Sequence, residues 1–147
     1  MPAPVCPFVG VDAFIQNEKG EVCLVKRRDN GLWAMPGGYH DLGETASQCA
    51  AREALEETGL RVEVRELLGY FSSLNYADDT GAHRGREICH LLFRAEAIGG
   101  TETPSDETSE IRWFAEGALP DLHSGHAARL EVGFAAAGKR RAKPHFD

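Results

Sequence analysis

Apolar and polar positions alternate in some stretches of the chain and follow the helical repeat in others. Phe8 to Gln16 is apolar enough for a strand, Asn17-Glu18-Lys19-Gly20 has turn chemistry, and Glu21 to Arg27 is the predicted hairpin partner. Asp29 to Trp33 loops into Pro36-Gly37-Gly38, and Thr45 to Thr58 is predicted to be helical, with Gly59 placed to end it in a left-handed cap. Arg61 to Leu74 alternates in part and predicts a long strand bent near Gly69, while Glu87 to Ile98 and Ile111 to Phe114 predict two more. Residues 75–85 and 99–109 are predicted loops, 125–137 a second helix, and the tail KRRAKPHFD (139–147) a frayed, flexible segment. Strands before and after a helix, with a last helix to cover the other side, predict an α/β fold with a mixed sheet between helices. No repeat or linker divides the chain, so 1–147 is expected to be one domain.

The first helix carries the most informative chemistry. Glu53, Glu56 and Glu57 stand at i, i+3 and i+4 and share one face, where three carboxylates repel one another. Such a face is either solvated or supplied with a cation, and hard oxygen ligands suit Mg²⁺ or Mn²⁺ rather than zinc. Ala51, Ala54, Leu55 and Thr58 fall on the opposite side, where the body of the protein is expected to pack. Ala46, Cys49 and Ala50 continue the carboxylate stripe toward the N-terminus, so the stripe changes from small and packable to acidic, as a half-buried cleft requires. Arg52 can pair with Glu56 one turn on or with Glu44 across the loop, either as a surface ion pair or as a clamp holding carboxylates in place. Pro36-Gly37-Gly38 supplies a bend and lets the backbone approach closely.

Gly38 to Leu60 fits the pattern G-x5-E-x7-R-E-U-x-E-E-x-G-U, with U a bulky aliphatic residue, except that Ala54 occupies one U position. This segment resembles the Nudix box, the signature of hydrolases that cleave nucleoside diphosphates linked to another group. The resemblance implies a single-domain α/β/α sandwich and Mg²⁺-dependent hydrolysis of a pyrophosphate bond, with Mn²⁺ as a possible substitute. It implies metal binding by Glu53, Glu56, Glu57 and the Gly37 carbonyl, and it makes Arg52 a structural clamp. Glu53 is the first candidate for the base that activates water, and Glu57 the surest metal ligand. A loop Glu near the place of Glu107 serves as base or extra ligand in several members, with Glu110 at a less suitable offset. The Ala54 departure lies at a packing position and bears on core volume, not on chemistry.

Substrate residues are less defined by sequence. Lys26, Arg27 and Arg28 end the second predicted strand, and the planar fork of Arg28 is the preferred candidate for phosphate contact. Arg84 and Arg86, at the predicted loop 75–85, are further candidates for contact with phosphate or sugar, against a solvated surface role. Tyr76 stands sixteen residues past Leu60, a spacing that resembles the dinucleoside polyphosphate hydrolases, where such a Tyr stacks on a base. The Pro that marks the ADP-ribose subgroup is replaced by Asn75. His123 and His126 amount to half a metal site and are otherwise two histidines at a helix entrance.

Composition narrows the partners. Sixteen basic against twenty-three acidic residues give a net charge of −7, which disfavours nucleic acid polymers, whose affinity comes mainly from Lys and Arg on phosphates. An acidic protein that handles a polyphosphate needs a divalent cation between them. The four cysteines lack any C-x-x-C pair and are expected to be free thiols, no apolar run approaches the roughly 20 residues of a membrane span, and no signal sequence is recognised. A cytoplasmic nucleotide hydrolase without membrane contact is therefore expected, with homodimerisation common in the family but undecided here. A nucleotide sensor without catalysis, or a purely structural domain with a metal-free acidic face, are the competing readings.

Overall fold

The structure, a computed structural model, describes residues 5–76, 85–141 and 143–147. The elements run β1 (Phe8–Ile15), β2 (Val22–Arg27), β3 (Trp33–Ala34), β4 (Gly37–Tyr39), α1 (Ala46–Thr58), β5 (Leu60–Ser72), β6 (Ile88–Gly100), β7 (Thr108–Phe114), α2 (His126–Ala136) and β8 (His145–Phe146). They build a five-stranded mixed sheet, β4-β1-β6-β5-β8, and a three-stranded antiparallel sheet, β3-β2-β7.

The interior strand β1, between β4 and β6, explains the layering. Val11, Ala13 and Ile15 pack on the α1 side with Cys49, Ala50 and Ala54, whereas Phe14 packs with Leu130 of α2. Successive side chains of a strand point to opposite faces, so the two helices lie on opposite sides of the sheet. The expected α/β/α arrangement is thus observed. A strand covered on both faces is apolar nearly throughout, and Asp12 is the one charge set into it.

Three expectations need correction. The predicted hairpin between the first two strands is reduced to an isolated bridge, Gln16 with Val22. Both edges of β1 are already taken, by β4 antiparallel and β6 parallel, so β2 leaves to pair with β3 and β7. The loop expected at 99–109 is shorter, because β6 runs on to Gly100 and β7 begins at Thr108. The tail does not fray at its end: β8 pairs in parallel with Gly69 and Tyr70, His145 stacks on Phe71 at 4.7 Å, and Ser72 N–H donates to Asp147 Oδ1 at 2.8 Å. Basic residues 139–141 are exposed as expected, but the aromatic pair beyond them finds the open edge of β5.

Ala54 is fully buried among Ala13, Ile15, Cys23, Leu60, Val62 and Ala95. Its neighbours close around a methyl group at the place where the family pattern has a larger side chain. Ala54→Leu is expected to overpack this cluster and destabilise the protein by about 1–3 kcal/mol, measured as a lower urea midpoint at unchanged slope.

Candidate active site

Helix α1 is fixed at both ends by its own sequence. Thr45 Oγ1 accepts from Gln48 N–H while the Gln48 side chain accepts from Thr45 N–H, a capping box; Gly59 closes the helix at φ 75°. The helix is rolled so that Cys49, Ala50, Ala54, Glu57 and Thr58 are buried. Leu55, expected on the packed face, is instead 47% exposed. The roll brings the acidic edge inward, and the three glutamates are graded: Glu57 is buried, Glu53 nearly so, and the Glu56 side chain stands mostly in solvent.

Arg52 gathers the outer carboxylates. Its Nε and Nη2 donate to the two Glu44 oxygens at 3.0 and 2.8 Å, Nη1 donates to Glu53 Oε1 at 2.9 Å and Glu56 Oε2 at 3.3 Å, and Nη2 also reaches the Tyr39 carbonyl at 3.2 Å. The two alternatives for Arg52, Glu44 and Glu56, are both realised. The hydrogen bonds from Arg52 hold the Glu44 carboxyl down at about 2, so it stays ionised throughout the physiological range.

Glu57 has a different environment. Its Oε2 accepts from Gly37 N–H at 3.0 Å, and among the described residues no salt bridge reaches it. Burial pushes its pKa up to about 8; the Gly37 hydrogen bond opposes that rise, and the negative charges of Glu53 and Glu107 add to it. Burial also raises Glu53, against the pull of Arg52. Gly37 is required by space, because a Cβ there would run into backbone, whereas a Cβ at Gly38 would only push the end of the Glu53 side chain aside. A Cβ at Gly37 would stand 2.1 Å from the Val11 carbonyl oxygen, and one at Gly38 would stand 2.4 Å from Glu53 Oε1.

Glu57 opens onto a cavity of about 670 Å³, a volume typical of small-ligand sites. Glu107, Arg28 and Arg86 all line it. Arg28 is held by Nε to the Ser105 carbonyl at 3.0 Å, and its N–H donates to the Glu107 carbonyl at 3.0 Å. Arg27 lines the cavity as well, because β2 ends there and alternation no longer separates the two arginines; its guanidinium is paired with Asp29. The Arg86 guanidinium lies 5.5 Å from the Phe8 ring. Tyr76 is elsewhere: it packs against the core with its ring 6.0 Å from Phe71 and is absent from the lining. Arg84 and most of the loop 75–85 lie outside the described residues.

Sequence reasoning passed over most of the far wall, singling out His123 and His126 alone and only as half a metal site or a helix entrance. Asp12, His90, His123, His126 and Arg129 line the same cavity, and all but His90 are buried. Asp12, a lone carboxylate in an apolar strand, and Arg129, a lone cation among the alanines and leucine of α2, were the available signals.

The NUDIX domain family model matches residues 7–132. The chain belongs to the Nudix hydrolase family. A MutT-like protein of Streptomyces ambofaciens is 37% identical over 112 residues, covering 76% of this chain and 66% of that protein. An ADP-ribose pyrophosphatase of Methanocaldococcus jannaschii is 35% identical over 123 residues, covering 82% and 69%. The chain spans about two thirds of the length of these curated relatives. Among solved structures, an ADP-ribose pyrophosphatase of Streptococcus suis superposes with a TM-score of 0.79 at 26% identity, covering 97% of this chain and all of that one. A UDP-X diphosphatase superposes at 0.86 but is 23% identical, which bears on the fold alone.

A divalent cation is implied by the Nudix family, and the donors present fit one. They are all hard oxygens, and one belongs to a buried carboxylate whose hydrogen-bond donor is a backbone N–H. Among the described residues no three His, Cys, Asp or Glu side chains converge closely enough to enclose an ion; Glu53 is turned to Arg52 and Glu57 to Gly37 N–H.

The Glu57 environment sets a pH dependence. Between the ordinary carboxyl value of 4.5 and about 8, folded Glu57 keeps a proton that the unfolded chain has released. The stability of chelator-treated protein is therefore expected to fall as pH rises through that window and to level off above it. Thermal melts from pH 5 to 9 check this: Glu57→Gln should flatten the decline, and an equally steep decline in the variant would count against the assignment.

Proposed function

We propose that the protein is a divalent-metal-dependent pyrophosphohydrolase acting on a nucleoside diphosphate linked to another group. The buried carboxylate of Glu57, facing a ligand-sized cavity beside Glu53 and Glu107, is the observation that carries this reading. Glu53, Glu56, Glu57 and the Gly37 carbonyl would hold Mg²⁺, with Mn²⁺ as a substitute. A bound cation of this kind neutralises diphosphate charge and acidifies water.

The chain's own groups have separable tasks. Arg52 ties Glu44, Glu53 and Glu56 together and so limits how far the carboxylates can swing, a positioning role. Glu53 is the first candidate to accept the proton of the attacking water and Glu107 the second, both within electrostatic reach of Glu57. Arg28 and Arg86, exposed at the rim of the cavity, are the proposed phosphate contacts.

The dinucleoside polyphosphate reading rested on Tyr76, whose packing against Phe71 lends it no support. Relatives named as an ADP-ribose pyrophosphatase and as a putative 8-oxo-dGTP diphosphatase of Bacillus subtilis keep both nucleotide sugars and nucleoside triphosphates open. We place the protein in the cytoplasm, in keeping with free cysteines at 6, 23, 49 and 89. No helix among the described residues is long and apolar enough to cross a membrane.

Formation of the nucleoside monophosphate product, followed chromatographically with Mg²⁺ over ADP-ribose, CDP-alcohols, diadenosine polyphosphates and both ordinary and oxidised nucleoside triphosphates, tests the reading. One class should be preferred, and Glu57→Gln should lower its turnover by roughly 10²-fold or more. Inactivity on every substrate with Mg²⁺ and with Mn²⁺, alongside tight ligand binding, would shift the assignment to a nucleotide sensor.

A further inference from the structure

Asp147, the residue after β8, gathers three donors from one short stretch of chain. Its Oδ1 accepts from Ser72 N–H at 2.8 Å, and the Asn75 side chain and the Tyr76 hydroxyl donate to the same carboxylate. Burial works to raise this carboxyl, but the hydrogen bonds from Asn75, Ser72 and Tyr76 hold it below its usual value, so it is charged throughout the physiological range. Hydrogen bonds to an ionised acceptor are about twice as strong as neutral ones.

The stretch has little of its own to fix it. Ser73–Asn75 form a single 3₁₀ turn in which no residue is buried, and Leu74 is 72% exposed. A local cap, Ser72 Oγ accepting from Leu74 N–H at 3.3 Å, is the turn's own contribution. The tail is the firmer anchor, because β8 pairs with Gly69 and Tyr70 and His145 stacks on Phe71.

Two contacts lead from the turn to the cavity. Ser73 Oγ accepts from Ile88 N–H at 2.9 Å, and Ile88 lines the cavity together with Arg86, two residues before it. The segment 86–88 is therefore held from one side by Ser73 and from the other by Phe8 N–H, which donates to the Glu87 carbonyl at 2.9 Å. Ser73 and Tyr76 also share a small crevice with His90 and Arg129, both of which line the main cavity. Asp147 itself is not part of the lining.

We propose that Asp147 is a positioning residue for substrate binding: it clasps residues 72–76, and through the contact of Ser73 with Ile88 it sets where Arg86 stands at the cavity rim. The assignment rests on the reading of Arg86 as a phosphate contact. It gives the docked tail a part in the affinity of the site and none in the chemical step.

Calorimetric titration of the Mg²⁺-loaded protein with α,β-methylene-ADP, a nucleoside diphosphate whose bridge resists hydrolysis, tests this without turnover. Asp147→Ala should weaken binding about three- to tenfold, and Asp147→Asn, which keeps an acceptor for Ser72 N–H, should weaken it less. Arg86→Ala should weaken it at least as much as Asp147→Ala. The double variant should match Arg86→Ala alone to within about twofold, because the Asp147 effect acts through Arg86. With the preferred substrate of the hydrolysis panel, Asp147→Ala should raise KM by the same factor and leave kcat within about twofold of the wild type. Amide exchange of the unliganded protein is independent of both. Ile88 N–H should exchange about tenfold or more faster in Asp147→Ala, while Leu55 N–H in α1 keeps its rate. The proposal is overturned by unchanged affinity in Asp147→Ala, by effects that multiply in the double variant, by an unchanged Ile88 exchange rate, or by a wild type that does not bind the analogue. A fall in kcat that tracks lost thermal stability, with KM unaltered, would make the tail a structural brace only and overturn it as well. Weakened binding through Arg86 without hydrolysis of any panel substrate would remove the hydrolase reading and leave the clasp standing; hydrolysis with the wild-type KM in Asp147→Ala would do the reverse.

Discussion

The approach of Gly37 to β1 is the constraint from which the site follows. Its backbone runs where any side chain would strike the Val11 carbonyl, and in that position its N–H meets the Glu57 carboxylate. One peptide unit thus joins β1, the short strand β4 and the acidic face of α1. The roll of the helix is tied to the same contact, since Glu57 reaches Gly37 only when its side of the helix turns inward and Leu55 turns out. Arg52 then works from the solvent side, holding Glu44 and Glu53, so the carboxylates are bounded by a backbone donor within and a guanidinium without.

The box was legible because its chemistry is local. The spacing of Glu53, Glu56 and Glu57, the cap at Gly59 and the glycines at 37 and 38 depend on contacts within a short stretch, and each occupies a position that sequence reasoning assigns it. What escaped depends on contacts between distant segments. The roll that exposes Leu55 is decided by β1 and β5, the fate of β2 by which edges of β1 were free, and the docking of His145 by an open strand edge far earlier in the chain. Helical periodicity gives a face to within about one residue, and here the packed face stops short of Leu55.

Asp12 and Arg129 belong to the same class of omission. Neither is part of a motif, and they are far apart in sequence; burial makes them informative, because an ion pair between an interior strand and a covering helix is expensive to keep. The alternation of β1 divides the labour of the cavity. Val11, Ala13 and Ile15 support the helix that carries the glutamates, while Asp12 and Phe14 meet the helix that carries Arg129.

The two-residue strand β8 also has a meaning for the molecule's behaviour toward its own copies. Without it, β5 would offer an unpaired row of backbone donors and acceptors around Gly69 and Tyr70, the kind of edge on which another chain can add a strand. His145 and Phe146 occupy that row, and the Asp147 carboxylate accepts the Ser72 N–H at its end. The tail thereby serves as an intramolecular blocker of sheet extension, and a negative charge at the seam disfavours the approach of a second acidic molecule.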